Sequence, residues 1–464
     1  MGAFDNILFN LPEVEGPTQK RLSFKEKLKW TGIVLVLFFI LGLIPLFGLG
    51  KNALTNFEYL SMILGASFGS IISLGIGPIV TASIVLQLLN GSGLMKFDLT
   101  SHEGKKKFQG IQKLMTFFFI LFEASIYVFM GGLAPPTGNV HYFTLQLLLV
   151  FQLTLGGVLI LYMDEVVSKW GFGSGVSLFI AAGISQEIFI RAISWLPGPQ
   201  SSSEFTYATG AIPALFQALA QGDSSTAALK FAAIAATIVI FVLAVYLQAM
   251  KVEIPLSFGR IRGHGIRWPL QFVYTSNIPV ILVSALMANM QLWARLLQNT
   301  KFPILGTYGA SSNVPQSGLV KWIYSPNIVE HVITSTLSWT HIGQAAGYFI
   351  FMILGSVVFS WFWVQTSGMD ARSQAKQIMS SGLQIPGFRK DERVLERLLE
   401  RYIGPLTIMG AIAVGVLAAT ADLLGALAHG TGILLTVMIV YRLYEDIARQ
   451  HMMDMSPMMR KFME

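Results

Sequence analysis

The chain has 464 residues, 53% of them hydrophobic and only 12% charged, with a formal net charge of +7. A soluble domain carries roughly 25% charged residues, so this composition, with its strongly positive mean hydropathy, excludes an ordinary soluble protein and points to a polytopic membrane protein. The absence of cysteine excludes disulfides, thiolate-ligated zinc and iron–sulfur clusters.

Residues 1–27 form a polar, amphipathic segment. No cleavable leader is expected, because the first apolar run begins only near Leu28. A spanning helix needs about 20 mostly apolar residues. Such runs lie at 28–48, 76–93, 112–133, 142–163, 174–191, 231–250, 272–293, 341–365, 404–427 and 430–447. The expected fold is therefore all-α, with ten transmembrane helices in one polytopic body. Its parts divide at 28–191, an outer loop at 192–230, 231–447, and a tail at 448–464. Ten spans put both termini on one side. Alternating the loops assigns 26 Lys and Arg to that side and 6 to the other. The positive-inside rule then places both termini in the cytoplasm.

Between the first two spans, Phe57, Tyr59, Leu60, Met62, Ile63 and Leu64 lie in a stretch that is helix-compatible but too short and polar to cross. It reads either as a half-helix sheltered by protein or as a surface amphipathic loop. The second span opens Gly75-Ile-Gly-Pro78, a broken start. Ile76 and Val80 follow at helical spacing, as Val176 and Ile180 do in the fifth span; alone, such aliphatics read as ordinary packing. Glu123 is singled out at mid-helix in the third span, where a charge costs at least ~2.5–3.5 kcal/mol and must face protein or water. Asn277 precedes Pro279 in the seventh span, and reads as a polar latch or as plain helix–helix hydrogen bonding.

Gly173-Ser-Gly-Val176 and Gly430-Thr-Gly-Ile433 open the fifth and tenth spans, at matching places in two sets of five helices. An odd number of spans per set gives the sets opposite topology, the pattern of inverted repeats with a substrate path between them. Two long basic loops, 251–271 with Arg260 and Arg262 and 366–403 with Arg389 and Lys390, suit an anionic partner such as ribosomal RNA. The positive-inside rule accounts for their charge but not for their length. No phosphate-binding loop, zinc-protease helix or Gly-x-Ser-x-Gly occurs. The seven histidines never fall at i, i+4, so no catalytic role, cofactor or metal is expected.

Four stretches together resemble the SecY family, the channel subunits of the Sec protein translocon. They are Gly75-Ile-Gly-Pro-Ile-Val-Thr-Ala-Ser-Ile-Val-Leu-Gln-Leu-Leu89, Ser276-Asn-Ile-Pro-Val-Ile-Leu282, Pro386-Gly-Phe-Arg-Lys390 and Gly430-Thr-Gly-Ile-Leu-Leu-Thr436 with Tyr441–Arg442. The likeness is collinear from about Phe24 to Ile447 and is closer to the archaeal and eukaryotic branch. It implies two inverted five-helix halves around a pore that passes secretory polypeptides and releases hydrophobic segments sideways into the membrane. It implies a pore ring of Ile76, Val80, Val176, Ile180, Ile281 and Leu435, with two valines where the family usually has isoleucine. It also implies a plug at about 54–68, a lateral gate with Thr81, Glu123 and Asn277 as polar contacts, and ribosome docking at Arg260, Arg262, Arg389 and Lys390. The implied partners are SecE-like and Sec-beta-like single-span subunits, the ribosome, signal peptides and nascent chains. The implied setting is the cell membrane, or the endoplasmic reticulum in a eukaryote. A secondary transporter would instead need several coupled carboxylates at membrane depth, and an intramembrane hydrolase a buried nucleophile and base.

Overall fold

The computed structural model describes residues 11–19, 22–50, 69–91, 94–95, 102–129, 133–136, 141–196, 207–258, 265–275, 278–297, 305–308, 314–380, 383–384 and 391–455. The chain divides into two compact units: Met1–Ser185 with Ile439–Glu464, and Gln186–Met438.

The first unit holds α1 (Phe24–Leu43), α2 (Gly77–Gly91), α3 (His102–Phe129), α4 (Tyr142–Trp170) and most of α5 (Gly175–Ile193). Ser23 caps α1 by accepting the Glu26 N–H, an arrangement that satisfies one of the four free donors at a helix start. Thr31, Val34 and Phe38 form the buried stripe of α1, at the spacing of one helix face. Phe38 stacks on Phe179 of α5 with 4.8 Å between ring centroids.

The chain before α2 is buried without being helical. Ser70 bridges Pro45, Ile71 N donates to Ile44 O at 3.0 Å and Leu46 N to Gly69 O at 2.8 Å. Turns then carry the chain through Ile72, Leu74 and Ile76, all buried. Gly75 adopts φ +55°, a left-handed conformation that L side chains rarely adopt. Pro78 falls in the first turn of α2, where its missing N–H costs nothing. Two glycines of α4 make room for this segment and for α3. A Cβ at Gly156 would lie 1.9 Å from Ile71 O, and one at Gly157 2.7 Å from Ile120 Cγ2.

Residues 12–15 strap the polar ends of α3 and α4. Glu13 pairs with Lys169 and Lys113 pairs with Glu165. Val14 N donates to Glu165 Oε2 at 3.0 Å, and Trp170 Nε1 donates to Glu15 O at 2.9 Å. The hydrogen bond from Lys169 holds the Glu13 carboxyl below its ordinary range.

The second unit contains α6 (Ala211–Gln221), α7 (Ser224–Ala249), β1 (Lys251–Phe258), β2 (Gly265–Gln271), α8 (Ile278–Leu297), α9 (Leu319–Ile323), α10 (Ile328–Ile333), α11 (Trp339–Thr366), α12 (Ala371–Ser380), β3 (Leu383–Gln384), α13 (Glu392–Leu423) and the start of α14 (Gly430–Met455). Gly222 in the left-handed region ends α6, and Asp223 caps α7. A hydroxyl chain ties α11 to its neighbours. Ser360 Oγ donates to Thr407 O at 3.2 Å, which leaves Thr275 Oγ1 to donate to Ser360 Oγ at 2.8 Å.

The ten apolar runs each fall on a described helix: α1 to α5, α7, α8, α11, α13 and α14. Six described helices are long and apolar enough to cross a membrane by length and composition. Several helices outrun their apolar stretches. α3 begins at His102, α4 continues to Trp170 and α13 begins at Glu392.

The two basic loops are not loops throughout. β1 and β2 form an antiparallel hairpin, and β3 from the second loop joins β1 with Ser257 opposite Gln384. Val252, Ile254 and Leu256 face Leu270, Trp268 and Ile266 in register. This apolar alternation is the period-two signal of a half-buried strand. Ile254 and Leu270 pack with Val364, Ala375, Ile378, Leu395, Leu399 and Ile403 in a core built from the polar ends of α11 and α13. Below it, Tyr274 Oη donates to Met369 O at 2.7 Å.

A leucine at Gly156 is expected to remove at least ~1–3 kcal/mol, the usual cost of overpacking. Alanine at Gly32, where a Cβ meets nothing within 4 Å, is expected to be neutral. Thermal unfolding in detergent, followed by gel filtration, measures both.

Candidate functional site

Four of the six aliphatics expected in a ring come together in the first unit. Ile76 is a buried member of the cluster that includes Ile72, Ile79, Leu178 and Phe179, and Val80, Val176 and Ile180 pack against it. Ile76 stands at the last turn before α2, and Ile79 N and Val80 N both donate to its carbonyl at 3.1 Å. The buried turns therefore set where α2 begins, and so where Val80 lies. Val176 is fixed through its backbone: its N–H donates to Asp164 Oδ1 of α4 at 2.8 Å. The remaining two, Ile281 on α8 and Leu435 on α14, are half-buried in the second unit.

Thr81 and Glu123 meet. Thr81 Oγ1 lies 2.9 Å from Gly77 O and 3.3 Å from Glu123 Oε1, so its one proton is shared between the α2 backbone and the α3 carboxyl group. This bond links α2 to α3 at mid-helix. The third expected polar contact, Asn277, lies outside the described residues. So do the half-helix residues Phe57, Tyr59, Leu60, Met62, Ile63 and Leu64, and the basic residues Arg260, Arg262, Arg389 and Lys390. The roots of the two basic loops are described, and the β1–β3 pairing joins them.

Glu123 is not the only carboxylate held inside the apolar runs. Glu187 on α5 pairs with Arg191 at 3.0 Å. Asp422, only 7% exposed, lies 3.4 Å from His429 Nδ1. Its Oδ2 accepts Tyr348 Oη at 2.6 Å and its Oδ1 accepts Gly430 N at 2.8 Å. Arg191 also donates to Leu427 O at 3.3 Å. These groups join α5, α11 and the α13–α14 connection. They face protein donors near helix ends and form one local cluster, with Glu187 and Arg191 both acting on His429 beside Asp422. Composition counts such residues, but the partner that neutralises each one is set by tertiary packing. Among the described residues, no group of three or more His, Asp or Glu could hold a metal ion.

A family model for SecY matches residues 70–444. The chain belongs to the SecY family. A SecY protein translocase subunit from Methanothermobacter thermautotrophicus is 45% identical, over 99% of this chain and 98% of its own. One from Pyrococcus horikoshii is 43% identical, over 99% of both. Among solved structures, one described as a protein-conducting channel is 42% identical with a TM-score of 0.79, covering 97% of this chain and 98% of its own. The Sec61 of a canine ribosome–channel complex is 41% identical with a TM-score of 0.77, over the same shares. This SecY-family chain is thus a membrane protein with the ten-helix SecY fold. Its function is that of a protein-conducting translocase subunit.

Burial pulls the His429 imidazole down. The Asp422 hydrogen bond and charge, with Glu187 nearby, outweigh that pull and the repulsion from Arg191, so the imidazole ionises above its ordinary range. A raised folded value means the contribution is complete below about 6.5 and is lost as pH rises through the folded value. Thermal stability is expected to fall between mildly acidic and alkaline pH. The His429→Gln chain is expected to show a flatter profile, read by melting curves across that range.

Proposed function

We propose that this chain forms a passive pore for unfolded secretory polypeptides, driven by a partner and carrying no energy-converting or catalytic site of its own. In this reading Ile76, Val80, Val176, Ile180, Ile281 and Leu435 make the constriction, and residues 54–68 supply the plug. Thr81, Glu123 and Asn277 are the polar contacts of a lateral gate. The observation that carries the ring is the packing of Ile76, Val80, Val176 and Ile180 into one aliphatic cluster at a broken helix start.

The chemistry suits the task. Branched aliphatics give ions no ligands, and an apolar constriction resists water. They also offer a sliding chain no hydrogen bond to hold it. Sideways release then sorts substrates by partitioning. Ten leucines favour lipid by roughly 3–6 kcal/mol, and one Lys or Arg opposes by ~2.5–3.5 kcal/mol. The Thr81–Glu123 bond is a polar seam that a hydrophobic segment must displace, so it contributes to the hydrophobicity threshold.

The distribution of Lys and Arg supports cytoplasmic termini, in the cell membrane. The halves we assign are 28–191 and 231–447, with a hinge at 192–230. The basic tips around Arg260–Arg262 and Arg389–Lys390 dock a ribosome, in line with the ribosome-bound Sec61 relative. Their roots share one sheet, which supports a common anionic partner for the two loops. SecE-like and Sec-beta-like single-span subunits complete the assembly.

Two outcomes test this. Replacing Ile180 by glycine is expected to raise resting ion conductance in planar bilayers several-fold or more, since a gap admits water to the dry ring; unchanged conductance removes the ring. Arg389→Glu is expected to weaken ribosome binding about tenfold and to flatten its salt dependence by roughly one counterion. Equal affinity at moderate salt removes the docking role.

A further inference from the structure

The two ring-bearing helices that follow a tight connection, α5 and α14, start in the same unusual way. In each, an aspartate of the preceding helix accepts a backbone amide of the first turn. Asp164 of α4 takes Val176 N at 2.8 Å, and Asp422 of α13 takes Gly430 N at 2.8 Å. The Gly175 N–H and the Ser174 hydroxyl also bond to Asp164, and Tyr348 Oη holds the other oxygen of Asp422 at 2.6 Å.

A second observation repeats in both places. The first residue of each helix is a glycine pressed onto the preceding helix. A Cβ at Gly175 would lie 2.6 Å from Asp164 Cα, and one at Gly430 would lie 2.3 Å from Ala418 O. The aspartate and the glycine together fix each helix start against its neighbour, in translation and in rotation. A local cap prevents fraying but leaves the whole helix free to slide. An acceptor on another helix removes that freedom.

The physical need is plain. A helix start exposes unpaired N–H groups and partial positive charge. Where water is excluded, each unpaired donor is costly. A carboxylate answers both, and the bonds it accepts offset part of its own desolvation. Asp164 lies in the first five spans and Asp422 in the last five, at corresponding connections, the fourth to the fifth span and the ninth to the tenth.

We infer that Asp164 and Asp422 are matched positioning residues of the two inverted halves, each holding the first turn of a ring-bearing helix so that its aliphatics keep the constriction closed at rest. Val176 is the residue bonded to Asp164, and Leu435 lies little more than one turn beyond Gly430. This rests on the ring reading above. It adds that the ring's resting width is set by two polar anchors, one at each helix start.

The test is resting ion conductance of the purified full complex in planar bilayers, with signal-sequence-dependent transport and gel-filtration profile as companion readings. Asparagine keeps the acceptor oxygen and the size, so Asp164→Asn and Asp422→Asn are expected to stay within about twofold of the parent. Alanine removes the acceptor, and glutamate displaces it by one methylene. Asp164→Ala, Asp164→Glu and the matching Asp422 variants are expected to leak roughly tenfold more while still transporting. If the alanine chains fail to assemble, the glutamate chains decide. Glutamate or alanine variants that assemble and seal like the parent overturn the inference, as do asparagine variants that leak as much as alanine. Ile180→Gly serves as the internal reference. If it leaks and the aspartate variants do not, the anchors fail and the ring stands. If it does not leak, the ring itself fails and the anchors fall with it.

Discussion

Hydrocarbon supplies no hydrogen-bond partner, so every stretch of non-helical backbone at membrane depth has to be satisfied by the protein. The segment from Gly69 to Ile76 shows the consequence. Ile71 N and Gly69 O are taken up by residues 44 and 46, and Ser73 N, Gly75 N and the Ser70, Ile72 and Leu74 carbonyls by turns. It fits only because α4 presents Gly156 to it without a side chain. Once that segment is fixed, Ile76 has a place, α2 has a starting point, and Val80 and Thr81 follow by helical geometry. The aliphatic cluster and the Thr81–Glu123 bond both inherit their position from this one satisfied break.

The same constraint shapes the charged groups. Asp164, Glu187 and Asp422 each have a fixed protein partner. Each lies beside donors at a helix end, where aligned peptide dipoles favour negative charge if the end is an N-terminus. Asp164 and Asp422 sit at such ends, while Glu187 is held by Arg191 one turn along its own helix. A transporter that moves protons or ions needs carboxylates that exchange partners along a path. Carboxylates bound to backbone amides do the opposite and hold helices in place.

Much of this architecture was legible in the sequence because lipid reads hydropathy. The ten apolar runs and the ten helices coincide, and the Gly-Ser-Gly and Gly-Thr-Gly openings mark the starts of α5 and α14 to within two residues. The extensions of α3, α4 and α13 beyond the apolar runs were not legible from hydropathy, because those turns are stabilised by packing in water and by ion pairs such as Lys113–Glu165. The β1–β2 hairpin is legible in its apolar alternation, though Pro255 and Pro269 weaken the ordinary strand signal. Strand β3 has two residues, too few for any periodicity, and only its partner defines it. The acceptors of the α5 and α14 amides were invisible for the same reason: an aspartate at the end of an apolar run is common, and its bond is a tertiary fact. Asn277, the half-helix at 54–68 and the basic tips lie outside the described residues.

The β1–β3 pairing also bears on the order of assembly during synthesis. Ser257 waits for Gln384, and at roughly 5–20 residues per second that delay is on the order of ten seconds. Through that interval the hairpin carries an unpaired edge, the kind of surface on which strands from other chains add. Its short length, and the prolines at 255 and 269, limit what such an edge can template. Maturation of this face is therefore timed by the eighth and ninth spans: the sheet closes only when α11 and α12 have emerged, and its core fills only with α13.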